Sequence, residues 1–326
     1  MADILKELEK NLGPKIQANV LLSKYTNFKI GGPAKYMLVA DTSAEIVRAG
    51  QVAHELNLPL IVLGGGANVL VSDRGYDGLV VIAKNQQLEV KENKIFAGAG
   101  VRLGFLVTQA VEAGLTGIEP LVAVPGTVGG AIYGNAGLPQ EPKGCIGEWI
   151  YSVDALANDK IVKYTKKQCQ FSYRNSRFKK TKELILSAVL QLDTGDKVTS
   201  QQLIKKYVGA RKGQPYNMPS SGCIFTNVEI KSDAQVKEAQ EKLKGREKLD
   251  QFLECKQLPS SWLIDQAGLK GKKMGKAQVS TDHANYIVNL GGAKADDVVM
   301  LMSFIKQQVR DKFGIELHEE VQYIGF

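Results

Sequence analysis

The sequence predicts a mixed fold of helices and strands, of the α/β or α+β class, in more than one domain. Its 326 residues exceed the usual size of a single domain, so two or three packed units are expected. Short apolar runs rich in valine, isoleucine and leucine alternate with glycine turns and with helical spacing of apolar residues. A polar hinge at residues 193–196 precedes a helical pattern rich in lysine and glutamine, which indicates a domain boundary.

The first 195 residues contain alternating predicted helices and strands. The clearest helix covers residues 43–58, where apolar residues share one face and Pro59 stops the helix. A second helix, at 101–113, ends at Gly114, which serves as its C-cap. The other predicted elements of this part are an amphipathic helix at 1–10, strands at 60–63, 79–82 and 94–97, and a glycine-rich loop at 117–137.

The remaining residues are predicted to form a second domain of helices and sheet. Its helices are expected at 199–210, 233–246 and 296–313, where apolar residues recur at helical spacing. The predicted domains are therefore 1–195 and 196–326, with subdomains of about 1–66 and 67–195 in the first.

Composition disfavours several classes of function. No apolar run approaches the ~20 residues of a membrane span, and residues 1–10 lack the apolar block of a signal peptide, so we expect a cytoplasmic protein with no membrane partner. The four cysteines form no CxxC pair, which disfavours a structural zinc site or a redox dithiol, and disulfides are not expected in the cytoplasm. The net charge of +8 is carried by scattered lysines, so we expect no nucleic-acid partner, and an anionic substrate or cofactor explains the charge equally well.

Two glycine-rich loops are candidates for binding phosphate groups. They are LGGGANVL at 63–70 and VPGTVGGA at 124–131, the latter followed by NAG at 135–137. Glycine lets backbone amides approach phosphate oxygens closely, and two such loops suit the pyrophosphate of a dinucleotide. Each loop is also explained as a structural turn, and neither is a GxGxxG fingerprint or a Walker A loop. The candidate cofactor-binding residues are Gly64, Gly65, Gly66, Ala67, Asn68, Val69, Leu70, Pro125, Gly126, Thr127, Gly129, Gly130, Asn135 and Ala136.

Three further segments contain side chains suited to catalysis. Arg174, in YRNS at 173–176, has a planar guanidinium that can hold a carboxylate or a developing enolate through paired hydrogen bonds. Cys223 follows a flexible turn and can donate a proton, although a lone cysteine is more often a buried small hydrophobic residue. Glu319 and Glu320 are adjacent carboxylates, and in a strand only one of them faces a cleft.

In this order the motifs resemble those of the MurB family, UDP-N-acetylenolpyruvoylglucosamine reductase, over nearly the whole chain. Besides the two glycine loops and YRNS, the matching motifs are TNFKIGGPA at 26–34, WLIDQAGLKG at 262–271, HANYIVN at 283–289 and EVQYIG at 320–325. The spacing between Cys223 and residue 262 is similar to that of the type II subgroup. The resemblance implies an α+β fold: an FAD-binding region of the vanillyl-alcohol-oxidase/PCMH type over 1–195 and a C-terminal α+β substrate-binding domain over 196–326. It also implies that the extreme C-terminus returns to the active site.

The resemblance also implies the reaction. Non-covalently bound FAD would pass hydride from NADPH to UDP-N-acetylglucosamine enolpyruvate, giving UDP-N-acetylmuramate for peptidoglycan synthesis, and hence for cell-wall formation, cell shape and division. Arg174 and Glu320 would stabilise the enolate, Glu320 directly only if it is protonated or acts through a water, and Cys223 would protonate C2. No obligate protein partner is expected. The implied substrate-binding residues are Arg211, Lys212, Asn227 and Lys270.

The sequence departs from the family pattern at five positions. Cys223 stands in the place of a proton-donating serine, and Gly134 in that of a methionine. Lysine is common at the three other positions, which are Gly213, Thr226 and Asp282.

Two other functions explain part of the pattern. A related FAD oxidoreductase acting on a small alcohol or sugar would share the cofactor loops, but none of the three histidines is clearly placed to hold a flavin covalently. A non-catalytic nucleotide- or nucleic-acid-binding protein would explain the loops and the charge. It would leave Arg174, Cys223 and Glu320 without a role.

Overall fold

The computed structural model describes residues 4–139, 141, 143–211, 214, 215 and 217–326. The chain divides into two units, each built from three stretches of sequence. The first unit contains Met1–Val20, Pro33–Gly66 and Tyr76–Lys212. The second contains Leu21–Gly32, Ala67–Gly75 and Gly213–Phe326. Residues far apart in sequence therefore share one unit.

The secondary structure is numbered in chain order. The helices are α1 (Ile4–Leu12), α2 (Ser43–Glu55), α3 (Leu103–Glu112), α4 (Val128–Gly134), α5 (Arg177–Thr181), α6 (Lys197–Ala210), α7 (Asp233–Lys242), α8 (Leu249–Glu254), α9 (Ser260–Gln266) and α10 (Ala295–Phe313). The strands are β1 (Gln17–Leu21), β2 (Pro33–Ala40), β3 (Leu60–Leu63), β4 (Val69–Val71), β5 (Tyr76–Ala83), β6 (Leu88–Lys91), β7 (Lys94–Gly98), β8 (Leu115–Thr116), β9 (Ile150–Ala157), β10 (Lys160–Thr165), β11 (Leu184–Gln191), β12 (Asp193–Thr194), β13 (Ser220–Cys223), β14 (Val228–Glu229), β15 (Gln257–Leu258), β16 (Lys273–Met274), β17 (Ala277–Val279), β18 (Tyr286–Asn289) and β19 (Gln322–Ile324). In the described part of the chain, no helix is long and apolar enough to cross a membrane.

The predicted helices and strands are confirmed, with ends that differ by a few residues. Those expected at 1–10, 43–58, 101–113, 199–210, 233–246 and 296–313 are α1, α2, α3, α6, α7 and α10, and residues 1–3 lie outside the described residues. The predicted strands at 60–63, 79–82 and 94–97 are β3, part of β5, and β7. Local periodicity was enough to find them.

The first sheet of the first unit has the strand order β1-β2-β5-β3, with β2 and β3 both parallel to β5. Residues 78–83 of β5 are all buried, which is why this strand is a continuous apolar run rather than an alternating one. Helix α2 begins at a capping box: Oγ1 of Thr42 accepts from the N–H of Glu45, whose carboxylate accepts from the N–H of Thr42.

The second sheet of this unit is antiparallel, in the order β10-β9-β11-β7-β6. The amide of Asn85, which is buried, joins the two sheets. Its Nδ2 donates to Oγ of Ser43 at 2.9 Å and to the carbonyl of Leu186 at 2.7 Å. Its Oδ1 accepts from the N–H of Gly100 at 2.9 Å. Because a buried amide is costly unless hydrogen-bonded, these bonds favour one arrangement of the two sheets.

A buried carboxylate fixes the segment before the second glycine loop. Glu119 begins a 3₁₀ helix, Glu119–Ala123, and is only 1% exposed. Its carboxylate accepts from Oγ1 of Thr116 and the N–H of Gly117, both at 2.7 Å, and from Oγ of Ser200 on α6 at 2.5 Å. The chain therefore enters the loop from a fixed position.

The second unit is built on an antiparallel sheet of order β13-β18-β17-β16, against which α10 packs. Its core combines apolar residues of α10 with Phe28, Ile30 and Leu70 from the two N-terminal stretches. Strand β19 pairs in parallel with β4, with Tyr323 opposite Leu70. The C-terminal strand is thereby joined to the segment that follows the first glycine loop.

The predicted domain limits at 66/67 and 195/196 stay predictions. Strand β5 shares a sheet with strands from the first 66 residues. Helix α6, which begins after residue 195, packs against Glu119–Ala123 within the first unit.

Replacing Glu119 with alanine should destabilise the protein, because one buried and two half-buried donors lose their acceptor. We expect the free energy of unfolding to fall by about 3 kcal/mol, measured by urea denaturation. Glu112→Ala is the matched control: that carboxylate is exposed on α3 and lies 3.9 Å from Nζ of Lys197, so its loss should matter far less. Equal losses in both variants would contradict a structural role for the buried carboxylate.

Candidate active site

The two glycine loops lie against each other in the first unit. A Cβ atom on Gly64 would lie 2.1 Å from Oγ1 of Thr127, and one on Gly65 would lie 3.0 Å from Cα of Gly126. No side chain fits at the first position without moving the opposite loop, so glycine is required there. The two loops together form one surface of exposed backbone.

The hydroxyl of Thr127 is suited to bind an anion on this surface. Thr127 is buried, and its Oγ1 has no hydrogen-bond partner among the described residues. A buried hydroxyl without a partner is costly, so native structures usually complete it with a ligand or a water. A phosphate oxygen at hydrogen-bonding distance would complete it, and Gly64, which has no Cβ, lets the two loops approach each other this closely. The residues present therefore fit the pyrophosphate of FAD.

Some of the second loop is engaged by the protein itself. The N–H groups of Val128 and Gly129 donate to the carbonyls of Val101 and Ala99 at 2.9 Å each. A Cβ on Gly129 would lie 2.8 Å from that of Ala99, so the packing of the protein already requires glycine there. Gly130 differs, because it is exposed and the nearest atom to an added Cβ is 3.8 Å away.

Other predicted cofactor residues hold parts of the protein together. The side chain of Leu70 is fully buried in the core of the second unit. The amide of Asn135 donates to the carbonyl of Ser172 at 2.9 Å and accepts from the N–H of Gly147 at 3.0 Å. Contacts with FAD stay predictions for all the residues proposed from the two loops, including Gly66, Ala67, Asn68, Val69, Pro125 and Ala136.

Arg174 lies in a two-residue turn of the first unit. Ser172 and Asn175, on either side of the turn, exchange two backbone hydrogen bonds of 3.1 Å. Arg174 has a φ of 50°, in the left-handed region that favours glycine. Its Nη1 donates to the carbonyl of Gly137 at 3.1 Å. Both its backbone and its guanidinium are thus held by nearby backbone groups.

Cys223 ends a strand that contains a β-bulge. Where β13 pairs with β18, Ser220 lies opposite Val288 and Cys223 opposite Tyr286, so β13 has one extra residue. Gly222, with a φ of 79°, accommodates the bulge, which redirects the strand just before Cys223. All four cysteines are among the described residues, and none forms a disulfide. The thiol is half-buried and chemically intact.

Glu320 lies beside the segment that carries Cys223. Its N–H donates to the carbonyl of Ile224 at 2.7 Å. Its own carbonyl accepts from Nδ2 of Asn68 at 3.2 Å and from Nε2 of Gln322 at 2.8 Å. The backbone of Glu320 is therefore fixed on both sides, next to the candidate proton donor and within the same unit.

The neighbouring carboxylate has a different environment. Glu319 is exposed, forms an isolated β-bridge with Phe225 and pairs with Nζ of Lys306 at 2.9 Å. An exposed ion pair of this kind contributes little to stability. Neither glutamate belongs to strand β19, and of the two only Glu320 is half-buried.

The predicted substrate-binding residues are distributed over both units. Arg211 follows α6 in the first unit, and Lys212 lies outside the described residues. Asn227 makes side-chain hydrogen bonds within the second unit, and Lys270 donates to Asp265 at 3.2 Å. Their contacts with substrate stay predictions.

Three residues that hold the backbone of Phe225, Glu320 or Arg174 were not among the predicted site residues. Asn285 exchanges two hydrogen bonds with the backbone of Phe225, at 3.0 and 2.8 Å, and Gln322 holds the carbonyl of Glu320. Both lie in motifs that carried the family resemblance, so a signal for them was present. The third residue is Lys179, whose Nζ donates to the carbonyl of Arg174 at 2.7 Å. Its only signal in the sequence was its closeness to the YRNS motif.

Comparison with known proteins agrees with this geometry. A family model described as UDP-N-acetylenolpyruvoylglucosamine reductase, C-terminal domain, matches residues 214–324, and one described as FAD binding domain matches residues 34–163. Relatives named UDP-N-acetylenolpyruvoylglucosamine reductase include one from Chlamydia felis, 35% identical over 317 residues and 95% of each chain. Reductase 1 from Bacillus cereus is 35% identical over 333 residues and 100% of each chain.

A solved structure gives the same result at the level of the fold. The UDP-N-acetylenolpyruvylglucosamine reductase of Thermus caldophilus has a TM-score of 0.74 and 30% identity, covering 95% of this chain and 98% of its own. The predicted fold class, an α+β protein with an FAD-binding region and a C-terminal domain, is confirmed by these matches.

Gly130→Val should give folded protein that has lost its flavin. An added side chain has room within the protein at this position but occupies the surface between the loops. We expect the affinity for FAD, measured by titrating flavin-free protein, to fall at least roughly tenfold if the lost contacts amount to about 1.4 kcal/mol, and the FAD content of the purified protein to fall with it.

Gly134→Val, on the same helix, is the control and should retain FAD, because no atom lies within 4 Å of a Cβ there. Wild-type FAD content in Gly130→Val would show that the cofactor does not lie on this surface. Gly65 and Gly129 are poorer test positions, since added atoms there would meet the protein itself.

Proposed function

The chain belongs to the UDP-N-acetylenolpyruvoylglucosamine reductase family, and from that premise we propose that it reduces UDP-N-acetylglucosamine enolpyruvate to UDP-N-acetylmuramate. The reaction uses FAD, with NADPH as the hydride donor, and takes place in the cytoplasm as a step of peptidoglycan synthesis. The observation that carries the proposal is the backbone hydrogen bond from Glu320 to Ile224, which holds the backbone of Glu320 beside the residue that follows Cys223.

The chemistry divides between the cofactor and the protein. FAD, when bound, supplies hydride to the enolpyruvyl group, and Thr127 with the two glycine loops holds its pyrophosphate. The protein must then stabilise the negative charge that develops on the substrate carboxylate as an enolate. Arg174 provides a fixed positive charge with paired donors for that purpose, and it acts more strongly on the transition state than on bound substrate.

Protonation of the substrate completes the reaction. A thiol is a stronger acid than the serine hydroxyl that is usual at this position, so Cys223 can give its proton to C2 without a separate activating base. Glu320 stabilises the same region when protonated or through a water. The bulge at Gly222 and the hydrogen bonds of Glu320 supply the positioning that proton transfer requires.

The two other functions receive less support. An FAD oxidoreductase for a small alcohol or sugar would need no C-terminal domain of the reductase family, which matches residues 214–324 here. A non-catalytic nucleotide-binding protein would leave Arg174, Cys223 and Glu320 without a role.

Rapid-mixing absorbance measurements test the proposed reaction directly. NADPH should bleach the bound flavin under anaerobic conditions, and UDP-N-acetylglucosamine enolpyruvate should then restore its colour with formation of UDP-N-acetylmuramate. A simple alcohol or sugar serves as the control substrate; mixed with the oxidised protein in the absence of NADPH, it should leave the flavin oxidised. Bleaching of the flavin by the alcohol or sugar would favour the second function, and protein that never carries flavin would favour the third.

Substitution of Cys223 should affect only the second half of that reaction. Cys223→Ser keeps a proton donor in place and should retain measurable turnover, whereas Cys223→Ala should slow reoxidation by about 10²- to 10⁴-fold, the usual contribution of positioned proton transfer. Bleaching by NADPH should be unchanged in both. Wild-type reoxidation in Cys223→Ala would assign the thiol to packing alone.

A further inference from the structure

Arg174 has a backbone conformation that its side chain does not favour. The central position of its turn, with a φ of 50°, is one that glycine ordinarily occupies. A non-glycine residue in the left-handed region is strained, and surrounding contacts must offset that cost. The conformation persists in the native protein only if those contacts are strong.

The contacts around the turn identify what offsets this cost. Asn135 holds the carbonyl of Ser172 at 2.9 Å, which fixes the start of the turn. The hydroxyl of Ser176, just after the turn, donates to the carbonyl of Tyr133 at 2.8 Å. Between these two anchors, the carbonyl of Arg174 itself accepts from Nζ of Lys179 at 2.7 Å. That bond acts on the left-handed residue directly.

The guanidinium is held separately from the backbone. Its Nη1 donates to the carbonyl of Gly137. Residue 137 itself is tightly packed, because a Cβ there would lie 2.1 Å from the carbonyl oxygen of Gly144. The half-buried thiol of Cys145 is close enough for the charge of the guanidinium to lower the pKa of the thiol. Burial has the larger effect, and it raises that pKa. The thiol therefore stays protonated and does not neutralise the guanidinium.

We propose that Lys179 is a positioning residue that holds the backbone of Arg174 in its left-handed conformation and so aims the guanidinium. The inference rests on the role proposed above for Arg174. A charged donor forms a stronger hydrogen bond with a carbonyl than a neutral one does. Helix α5, which begins directly after the anchored Ser176, presents Lys179 to this carbonyl.

Lys179→Met removes the donor and keeps a long apolar side chain. Reoxidation of the flavin by substrate should slow by roughly 10- to 100-fold, the scale of a small misplacement of a catalytic group, with FAD content and bleaching by NADPH unchanged. Lys179→Arg restores a charged donor and should recover most of the rate. Lys180→Met removes the same charge from an exposed position on the same helix and should behave as wild type.

Limited digestion with trypsin gives a second readout that does not depend on activity. Trypsin cuts after arginine, and loss of the anchoring bond should let the turn open more often. Cleavage between Arg174 and Asn175, followed by mass spectrometry, should become several-fold faster in Lys179→Met than in wild type or Lys180→Met. If Lys179→Met does not fold, Lys179→Gln, a weaker neutral donor, replaces it in both measurements.

Arg174→Lys separates this inference from the proposed function. We expect it to slow reoxidation by roughly 10- to 1,000-fold, and adding Lys179→Met should then cost less than about twofold more, because the two residues act as one unit. Unchanged reoxidation in Arg174→Lys would overturn the proposed role of Arg174, and the cleavage rate would still decide whether Lys179 holds the turn. If the losses in reoxidation rate from Arg174→Lys and Lys179→Met multiply in the double variant, the positioning role is overturned. Normal reoxidation together with normal cleavage in Lys179→Met would also overturn it.

Discussion

The parallel pairing of β4 with β19 is the constraint on which the candidate residues of the second unit depend. It places the C-terminal segment beside Asn68, whose side chain and carbonyl both bond to that segment. Glu320 is fixed as a result, and its N–H fixes Ile224 in turn. A continuous path of hydrogen bonds therefore runs from the end of the first glycine loop to the residue after the candidate proton donor.

Left-handed backbone occurs at several residues of the candidate site, as it does in turns elsewhere in the described chain. Arg174 and Asn135 have left-handed conformations without being glycine, and Gly222 has one inside a bulge. In each case nearby hydrogen bonds or strand pairing hold the conformation. The protein thus uses well-bonded surroundings to keep a few residues in conformations that an isolated chain would leave.

Features that depend on neighbouring residues were predictable from the sequence, and features that depend on distant ones were not. Periodicity identified α2 and α10, and glycine content predicted that both loops bind phosphate groups. The bond from Lys179 to the carbonyl of Arg174 requires knowledge of the turn's conformation, which no spacing rule supplies. The hydrogen bond from the N–H of Gly129 to the carbonyl of Ala99 was not predictable either, because the glycine pattern does not indicate the segment that contains Ala99. The interleaving of the two units likewise depends on pairing between segments far apart in the chain.

Because each unit is built from separate stretches of the chain, part of the second unit's core is synthesised long before the rest. Phe28, Ile30 and Leu70 belong to the core of the second unit, yet most of that core comes from the last third of the chain. On the ribosome these apolar side chains emerge long before the residues that will cover them, since synthesis proceeds from the N-terminus at about 5–20 residues per second. For roughly ten seconds or more they must remain uncovered or be shielded by a chaperone. Native pairing of β4 is possible only when synthesis is almost finished, so a truncated product keeps that strand edge open to association with other chains.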